Sequence, residues 1–397
     1  MQQSAAREFM ISPQIDEAYE QFKTTIVSSI TAAVPITRKG AKFQEPIPEE
    51  TPFPCDTSPG SPGAPSPTRP TSVHKLRPGD INVVGAMGDS ITAASGAASV
   101  NLLQGLIENR GLSFAIGGEA TWRKYLTLPN ILKEFNPKLV GFSVGDSLGF
   151  MKDAKFNVAE PIAMNKDMMF QAQLLTRRMK ADKNVDFCND WKLVTILVGH
   201  NDFCSEICYV NRATVTGNIR AQLEAALNYL QDNMPRVLIN LLLPLDVTIY
   251  KSFATAIPAC QIYYRFACSC FFGPSGGHHH QELHEIIKKT QQIYFKIVKN
   301  DRYAEKDEFA VVLQPFLYNA TFRYKTVSHK NVTDLSEFAA DCFHPSQKGH
   351  ALMANSLWNS MLEPVGKKTF NTAPGVLERF LCPTADQPYI FTAKNSH

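Results

Sequence analysis

The amino-acid sequence predicts a three-layer α/β fold in which helices cover both faces of a central parallel sheet of about five strands. Short, continuous apolar runs recur along the chain, and stretches with helical hydrophobic periodicity separate them. Such runs are typical of strands buried on both faces, and their alternation with helices is typical of a parallel sheet. The composition predicts a large core, because 44% of the 397 residues are hydrophobic and 19% are charged.

Five apolar runs are predicted strands, and glycine or proline follows each of the first four. The predicted strands are residues 81–87, 113–116, 191–198, 236–243 and 308–313. The predicted helices, in which apolar residues recur at helical spacing, are residues 92–110, 216–234, 281–300 and 346–362. Reactive groups in such sheets lie beyond the carboxyl ends of the strands, so the residues after each strand are candidates for a site.

The region before the first strand differs in composition. It begins with an amphipathic helix, whose predicted apolar stripe comprises Ile15, Tyr19, Phe22, Ile26 and Ile30. Nine prolines lie between Pro46 and Pro70, which predicts an extended, poorly packed linker. We therefore divide the chain into a helical segment (1–45), a linker (46–75), a main domain (76–385) and a C-terminal tail (386–397).

Charge and hydrophobic patterning argue against two classes of protein. The formal net charge of +3 is too close to balance to predict nucleic-acid binding. No run approaches the ~20 apolar residues of a membrane-spanning helix, and the first residues lack the basic and apolar pattern of a secretory signal.

Cysteine usage indicates an oxidising compartment. Nine cysteines accompany two glycosylation sequons, which begin at Asn319 and Asn331. The CxxxC and CxC spacings fit zinc poorly, so we expect disulfides and no metal site, with at least one cysteine free or paired elsewhere. The expected location is extracellular or lumenal, and association with a membrane surface stays open.

The residues that acyl transfer needs follow three predicted strands and precede the last helix. Ser90 follows the first strand in the sequence GDS, Gly118 follows the second and Asn201 the third. Asp341 and His344 lie in the loop before the last helix. Acyl transfer requires a nucleophile, a base, a group that orients the base, and oxyanion donors. The N–H groups of Ser90 and Gly118 and the Asn201 amide are the expected oxyanion donors.

The other roles follow from side-chain chemistry. Ser90 is the expected nucleophile, at a helix N-terminus whose free N–H groups favour negative charge. His344 is the expected base, because a histidine has an unperturbed pKa of about 6.5. Asp341 is the expected acid that holds the imidazole ring, and Asp202 is a competing candidate for that role.

These motifs resemble the four signature blocks of the SGNH (GDSL-type) hydrolases. Longer stretches, among them INVVGAMGDSITA, DWKLVTILVGHNDFC and DCFHPSQKGHALMANSLWNSMLEPVG, resemble the phospholipase B family over roughly residues 70–383. The resemblance implies an SGNH-hydrolase (flavodoxin-like) fold and calcium-independent hydrolysis of phospholipid and lysophospholipid acyl esters without a cofactor. The substrate would lie at a membrane or micelle surface, and no obligatory protein partner is inferred. One departure is His200, which stands where the family has glycine.

Two other features suggest sites that we do not favour. A second GDSL sequence at residues 145–148 contains Ser147, but no helical pattern follows it, and it comes after Gly118, whereas the nucleophile should come before that glycine. Residues 278–280 are histidines, with His284 one turn later, and we interpret them as a solvated helix N-terminus rather than a metal site.

Three alternatives stay open. The aromatic stretch is either core packing or a lipid-facing patch; it comprises Tyr263, Tyr264, Phe266, Phe271 and Phe272. The same fold also hosts carbohydrate and small-ester deacetylases. A catalytically inactive lipid-binding module is a further possibility from a different class of protein.

Overall fold

Four parallel strands form the central sheet. The computed structural model describes residues 13–25, 42–252, 258–274, 279–327 and 329–396. The strands lie side by side in chain order, and all four are predicted from the sequence: β1 (Ile81–Gly88), β2 (Trp191–Leu197), β3 (Val237–Leu242) and β4 (Phe309–Gln314). Nearly every strand residue is buried, which is why their sequences are continuous apolar runs.

The prediction of a strand over residues 113–116 is wrong, so the described sheet has four strands rather than about five. Beyond β1 the described chain makes only isolated parallel bridges, which are Val83 with Val140, Ala86 with Asn157 and Gly117 with Ser143. The backbone N–H of Phe114 donates to a ring nitrogen of His350 instead of to a strand partner. Side-chain partners thus take the place of a regular ladder at this edge.

Ten helices and a hairpin accompany the sheet in the described part of the chain. The helices are α1 (Pro13–Thr25), α2 (Ser90–Ala93), α3 (Leu128–Phe135), α4 (Met168–Ala181), α5 (Arg212–Asn233), α6 (Pro258–Ala267), α7 (Ser269–Phe272), α8 (His280–Ile297), α9 (Asp301–Ala304) and α10 (Gln347–Met361). The antiparallel hairpin comprises β5 (Tyr324–Val327) and β6 (Lys330–Thr333). The predictions of helices at α5, α8 and α10 are confirmed.

Two hydrophobic cores lie on opposite faces of the sheet. Alternate strand residues point to opposite faces, so Val194 and Ile239 join the core that contains α4, α5 and α8. Leu193 and Leu238 join the core that contains α3 and α10. The predicted three-layer α/β/α arrangement is confirmed.

The prediction of a long helix over residues 92–110 is wrong. Helix α2 has only four residues, because Ala94 adopts a left-handed conformation with φ of 57°. Gly96 also has a positive φ, and a side chain there would lie 2.9 Å from the Cα of Gly105. The chain therefore folds back on itself after the first turn, and only short 3₁₀ turns follow.

The segment predicted to be a loose linker packs on the main domain instead. Cys55 forms a disulfide with Cys382, and Val73 is fully buried. Prolines restrict the unfolded chain, so a proline-rich segment loses little entropy when it is fixed on a surface. The tail packs as well, since the Ile390 N–H donates to the Leu76 carbonyl. Residues 46–75 and 386–396 thus belong structurally to the domain.

The predicted stripe of the N-terminal helix is divided. Tyr19 is buried, whereas Ile15 and Phe22 are exposed. Ile26 and Ile30 lie outside the described residues.

Four disulfides confirm the expectation from cysteine usage. The pairs are Cys55–Cys382, Cys204–Cys268, Cys208–Cys270 and Cys260–Cys342, and Cys188 is free and exposed. Such bonds fit a compartment outside the reducing cytosol. No helix in the described ranges is long and apolar enough to cross a membrane.

Candidate active site

A tight turn at the carboxyl end of β1 presents Ser90. A side chain at Gly88 would lie 2.3 Å from the Leu197 carbonyl oxygen on the neighbouring strand, so only glycine fits there. Asp89 caps α2, because its Oδ1 accepts the Ile91 N–H at 3.0 Å. Ser90 is the first helical residue, where the N–H has no partner within the helix.

The structure brings Ser90, His344 and Asp341 together. His344 Nε2 lies 2.8 Å from Ser90 Oγ, and His344 Nδ1 lies 2.6 Å from Asp341 Oδ2. Asp341 Oδ1 accepts the N–H groups of Phe343 and His344 at 2.9 and 3.0 Å. The short loop thus orients its own carboxylate, which in turn orients the imidazole.

The electrostatics of this pair favour a charged aspartate and a basic imidazole. Burial alone would raise the pKa of Asp341, but the adjacent His344 ring and the two N–H donors hold it below its usual value. Burial alone would lower the pKa of His344, but the Asp341 carboxylate, with a contribution from Asp89, raises it above its usual value. His344 is therefore a stronger base than a free histidine.

Asp202 occupies a different environment. Both of its carboxylate oxygens accept the N–H of Asn165, at 3.1 and 3.2 Å. Burial raises the pKa of Asp202 to about 6. The His344 ring contacts Asp341, whereas the Asp202 carboxylate contacts Asn165. The geometry therefore favours Asp341 as the acid that orients the imidazole.

The two other expected oxyanion donors differ. The Asn201 side-chain amide donates one N–H to the Ala163 carbonyl at 3.0 Å, which orients the amide and leaves its second N–H. The Gly118 N–H donates to the Ser143 carbonyl at 2.8 Å. The expectation for Gly118 is therefore not supported by this geometry.

A mostly apolar cavity is lined by residues next to Ser90 and His344 in the chain. Ile91, which follows the serine, contributes to its wall, as do Phe343 and Pro345 on either side of the histidine. Leu352 and Met353 of α10 line it further. The cavity is therefore lined by chain neighbours of the serine and the histidine, and its walls are mostly hydrophobic.

Comparison with known proteins assigns the family. The model of the GDSL-like lipase/acylhydrolase family matches residues 84–357, a range that includes Ser90, Asn201, Asp341 and His344. The chain belongs to this family. It is also 38% identical to "Phospholipase B1, membrane-associated" of Rattus norvegicus and of Homo sapiens, and 37% identical to that of Mus musculus. Each comparison covers 84% of this chain but only 22–23% of the relative, so the chain spans less than a quarter of these proteins' length.

Sequence reasoning missed a second aspartate–histidine pair in this GDSL-family site. His200 Nδ1 lies 3.0 Å from Asp89 Oδ2, and His200 Nε2 accepts the Leu245 N–H at 3.1 Å. Because a backbone N–H can only donate, Nε2 must accept and the ring proton must lie on Nδ1. The unusual histidine before Asn201 was visible in the sequence, but its partner Asp89, 111 residues earlier, was not.

Three anchors hold the loop of this GDSL-family chain that carries the acid and the base. The hydroxyl of Tyr250 donates to the Phe343 carbonyl at 2.7 Å, and the hydroxyl of Tyr264 donates to the Cys342 carbonyl at 2.8 Å. The Cys260–Cys342 disulfide joins the same loop to α6. These contacts fix the two residues that lie between the aspartate and the histidine.

The alternatives raised by the sequence lie elsewhere in the GDSL-family fold. Ser147 is fully buried, and its hydroxyl has no hydrogen-bond partner among the described residues. His284 Nδ1 lies 3.1 Å from an oxygen of Asp246. The aromatic stretch is divided, because Tyr264 and Phe271 are buried while Phe266 is 78% exposed.

Proposed function

We propose that this chain hydrolyses acyl esters of phospholipids and lysophospholipids through an acyl-serine intermediate. The observation that carries the proposal is the hydrogen-bonded series from Ser90 Oγ through His344 to Asp341. The similar proteins support the substrate class, because all three are named as phospholipases. Membership of an acylhydrolase family supports the reaction type.

In the first half of the reaction, Ser90 Oγ attacks the ester carbonyl carbon while its proton passes to His344 Nε2. The tetrahedral intermediate collapses, the bond to the alcohol oxygen breaks, and the alcohol leaves with the proton from His344. In the second half, water attacks the acyl-serine and gives a proton to His344. Collapse releases the fatty acid, and the proton returns to Ser90.

The oxyanion is stabilised by donors beside the serine. The Ser90 N–H lies at the start of α2, and the second N–H of the Asn201 amide is the other donor. Gly118 would join them only if its N–H exchanged the Ser143 carbonyl for the oxyanion.

The apolar cavity supports a long acyl chain rather than a sugar. Most of its lining is hydrophobic, and Ile91 and Phe343 offer no hydrogen bonds from their side chains to a carbohydrate. This is the reason to prefer a lipid ester over a deacetylase substrate. The aligned serine and histidine similarly favour an active enzyme over an inactive lipid-binding module.

The proposal is tested by comparing substrates. Wild-type protein should release fatty acid from lysophosphatidylcholine faster than it releases acetate from a short aryl ester, and Ser90→Ala should do neither. A Met353→Trp variant should lose the preference for long chains because it narrows the cavity, whereas Met353→Leu, which preserves volume, should keep it. Equal rates on both ester classes in wild type and Met353→Trp would contradict the lipid assignment.

We propose an extracellular or lumenal location for this chain. The four disulfides support it, and both sequon asparagines, Asn319 and Asn331, are exposed. Protein made in eukaryotic cells should lose mass on treatment with a glycosidase, and Asn319→Gln with Asn331→Gln should abolish that loss.

A further inference from the structure

Several large apolar residues of the described chain are well exposed to solvent. Among the described residues, the five most exposed large hydrophobic side chains are Phe266 (78%), Ile162 (70%), Tyr209 (68%), Leu106 (61%) and Ile262 (58%). We call these five side chains the apolar rim. Single exposed apolar residues are normal, but a set grouped around one feature marks an interaction surface.

Two members of the apolar rim stand beside residues of the site. Leu106 follows Gly105, and a methyl group added to Gly105 would lie 3.9 Å from Asp341 Oδ2. Ile162 precedes Ala163, whose carbonyl orients the Asn201 amide. These two segments are far apart in the chain, yet both adjoin the reaction centre.

Helix α6 carries two further members. Ile262 and Phe266 are one helical turn apart, so their side chains lie on the same face of the helix. Cys260 of α6 is bonded to Cys342, and Tyr264 of α6 donates to the carbonyl of the same residue. The helix is thus fastened to the loop between the acid and the base.

Tyr209, the fifth member, follows the segment that begins with the oxyanion residue Asn201. The preceding Cys208 is bonded to Cys270, and Cys204 is bonded to Cys268, directly after α6. Two disulfides therefore keep the Tyr209 segment next to the helix that carries the other aromatic member.

The backbone conformation of Ile162 indicates that the exposure of its side chain has a function. Its φ is 68°, a left-handed conformation that is an outlier for a β-branched residue. Burial of the side chain does not offset this cost, since 70% of it faces solvent. A strained and exposed isoleucine is explained if the apolar side chain gains a partner outside the protein.

We propose that the apolar rim inserts into the surface of a phospholipid bilayer or micelle and brings the apolar cavity over the acyl chains. This inference rests on the proposed function and names the surface through which it would act. Charge agrees with this partner, because α6 has an exposed basic residue, Arg265, and no acidic residue to repel lipid phosphates.

The test measures vesicle binding separately from chemistry. In a Ser90→Ala background, Ile262→Ser with Phe266→Ser should lower the partition of the full chain onto phosphatidylcholine vesicles containing phosphatidylserine by about tenfold. Ile162→Ser should lower it from an independent segment. The matched control is Val365→Ser, an exposed aliphatic side chain beyond the far end of α10, about 20 Å along that helix from the site.

In the active background, the rim variants should keep wild-type hydrolysis of a soluble aryl acetate and lose hydrolysis of vesicle phospholipid. Unchanged vesicle binding in the rim variants, or equal binding losses in Val365→Ser, would overturn the proposal. So would an equal loss of soluble-ester activity, because the residues would then support the fold rather than the interface. Failure of wild type to cleave any phospholipid while rim-dependent vesicle binding persists would count against the proposed function alone.

Discussion

Two buried aspartate–histidine pairs flank Ser90, and they differ in what the far ring nitrogen contacts. In each pair a carboxylate oxygen meets the Nδ1 of the imidazole, at 2.6 Å for Asp341–His344 and at 3.0 Å for Asp89–His200. The Nε2 of His344 meets a serine hydroxyl, whereas the Nε2 of His200 accepts a backbone N–H. A hydroxyl can give up its proton to the imidazole, and an amide cannot at working pH.

The comparison shows that the pair by itself does not make a catalytic base. In the proposed reaction His344 accepts a proton because its outer partner is the hydroxyl of the expected nucleophile, and Asp341 holds the ring. Asp89–His200 instead connects the cap of α2 with the loop that begins at Leu245, so we expect it to position Ser90 and the neighbouring Asn201. The following predictions separate these two roles.

The largest effect should come from removing the hydroxyl at the Nε2 of His344. Ser90→Ala is expected to lower kcat by about a million-fold, because no acyl-enzyme can form. Covalent labelling by a fluorophosphonate probe should disappear while the thermal unfolding curve stays that of wild type. Retained labelling of Ser90→Ala would show that another serine is the nucleophile, and Ser147→Ala is the control for that outcome.

The next largest effect should come from the acid. Asp341→Asn is expected to lower kcat by about 10⁴-fold, because the His344 ring loses its orientation. The Asp341 carboxylate raises the pKa of His344, so its removal should move the acid limb of the kcat/KM profile of the residual activity to lower pH. A pH profile of the purified variant measures this shift.

Asp202→Asn supplies the contrast for the acid. It should reduce activity less, through the Asn201 loop, and leave the midpoint of the acid limb in place, because its oxygens contact Asn165 rather than His344. A shift of the acid limb in Asp202→Asn and none in Asp341→Asn would reverse the assignment of the two carboxylates.

The sequence predicts the buried strands and the Asp341–His344 loop more accurately than it predicts the Asp89–His200 contact. The strands at 81–87 and 191–198 are predicted to within one residue because both faces of each are buried. The Asp341–His344 pair is predicted because both residues lie in one short loop, where spacing alone brings them together. Features that depend on continuous burial or on proximity in the chain can therefore be predicted from the sequence.

Features that depend on packing between distant parts of the chain are harder to predict from the sequence. The helix predicted over 92–110 fails because a run of small residues permits a left-handed turn at Ala94, which no hydrophobic periodicity reveals. The prediction of a loose linker over residues 46–75 fails because a high proline content indicates an extended chain. It does not indicate whether that extended chain packs on the domain. The Asp89–His200 contact depends on two strand ends meeting in space, so His200 appears in the sequence only as an unexplained departure.

A smaller effect is expected from the second pair. His200→Ala leaves buried Asp89 with one donor fewer, which should lower stability by about 1–3 kcal/mol and lower kcat on a soluble ester by about tenfold. His200→Gln can donate to Asp89 and accept from Leu245, so it should restore most of the rate. If His200→Ala abolished activity as completely as a His344 variant, His200 would be acting in proton transfer rather than in positioning Ser90 and Asn201.

The smallest effect concerns the anchors that only the Asp341–His344 pair has. Tyr264→Phe removes the hydroxyl that donates to the Cys342 carbonyl and leaves a buried acceptor unpaired, which should cost about 1–3 kcal/mol in unfolding free energy. The disulfide and Tyr250 still hold the loop, so kcat should fall only a few-fold, with KM for a soluble ester unchanged. Tyr209→Phe, whose ring is 68% exposed, is the matched control and should change neither quantity. A Tyr264→Phe variant with full stability but a large loss of kcat would mean that this hydroxyl acts on the reaction itself rather than on the loop.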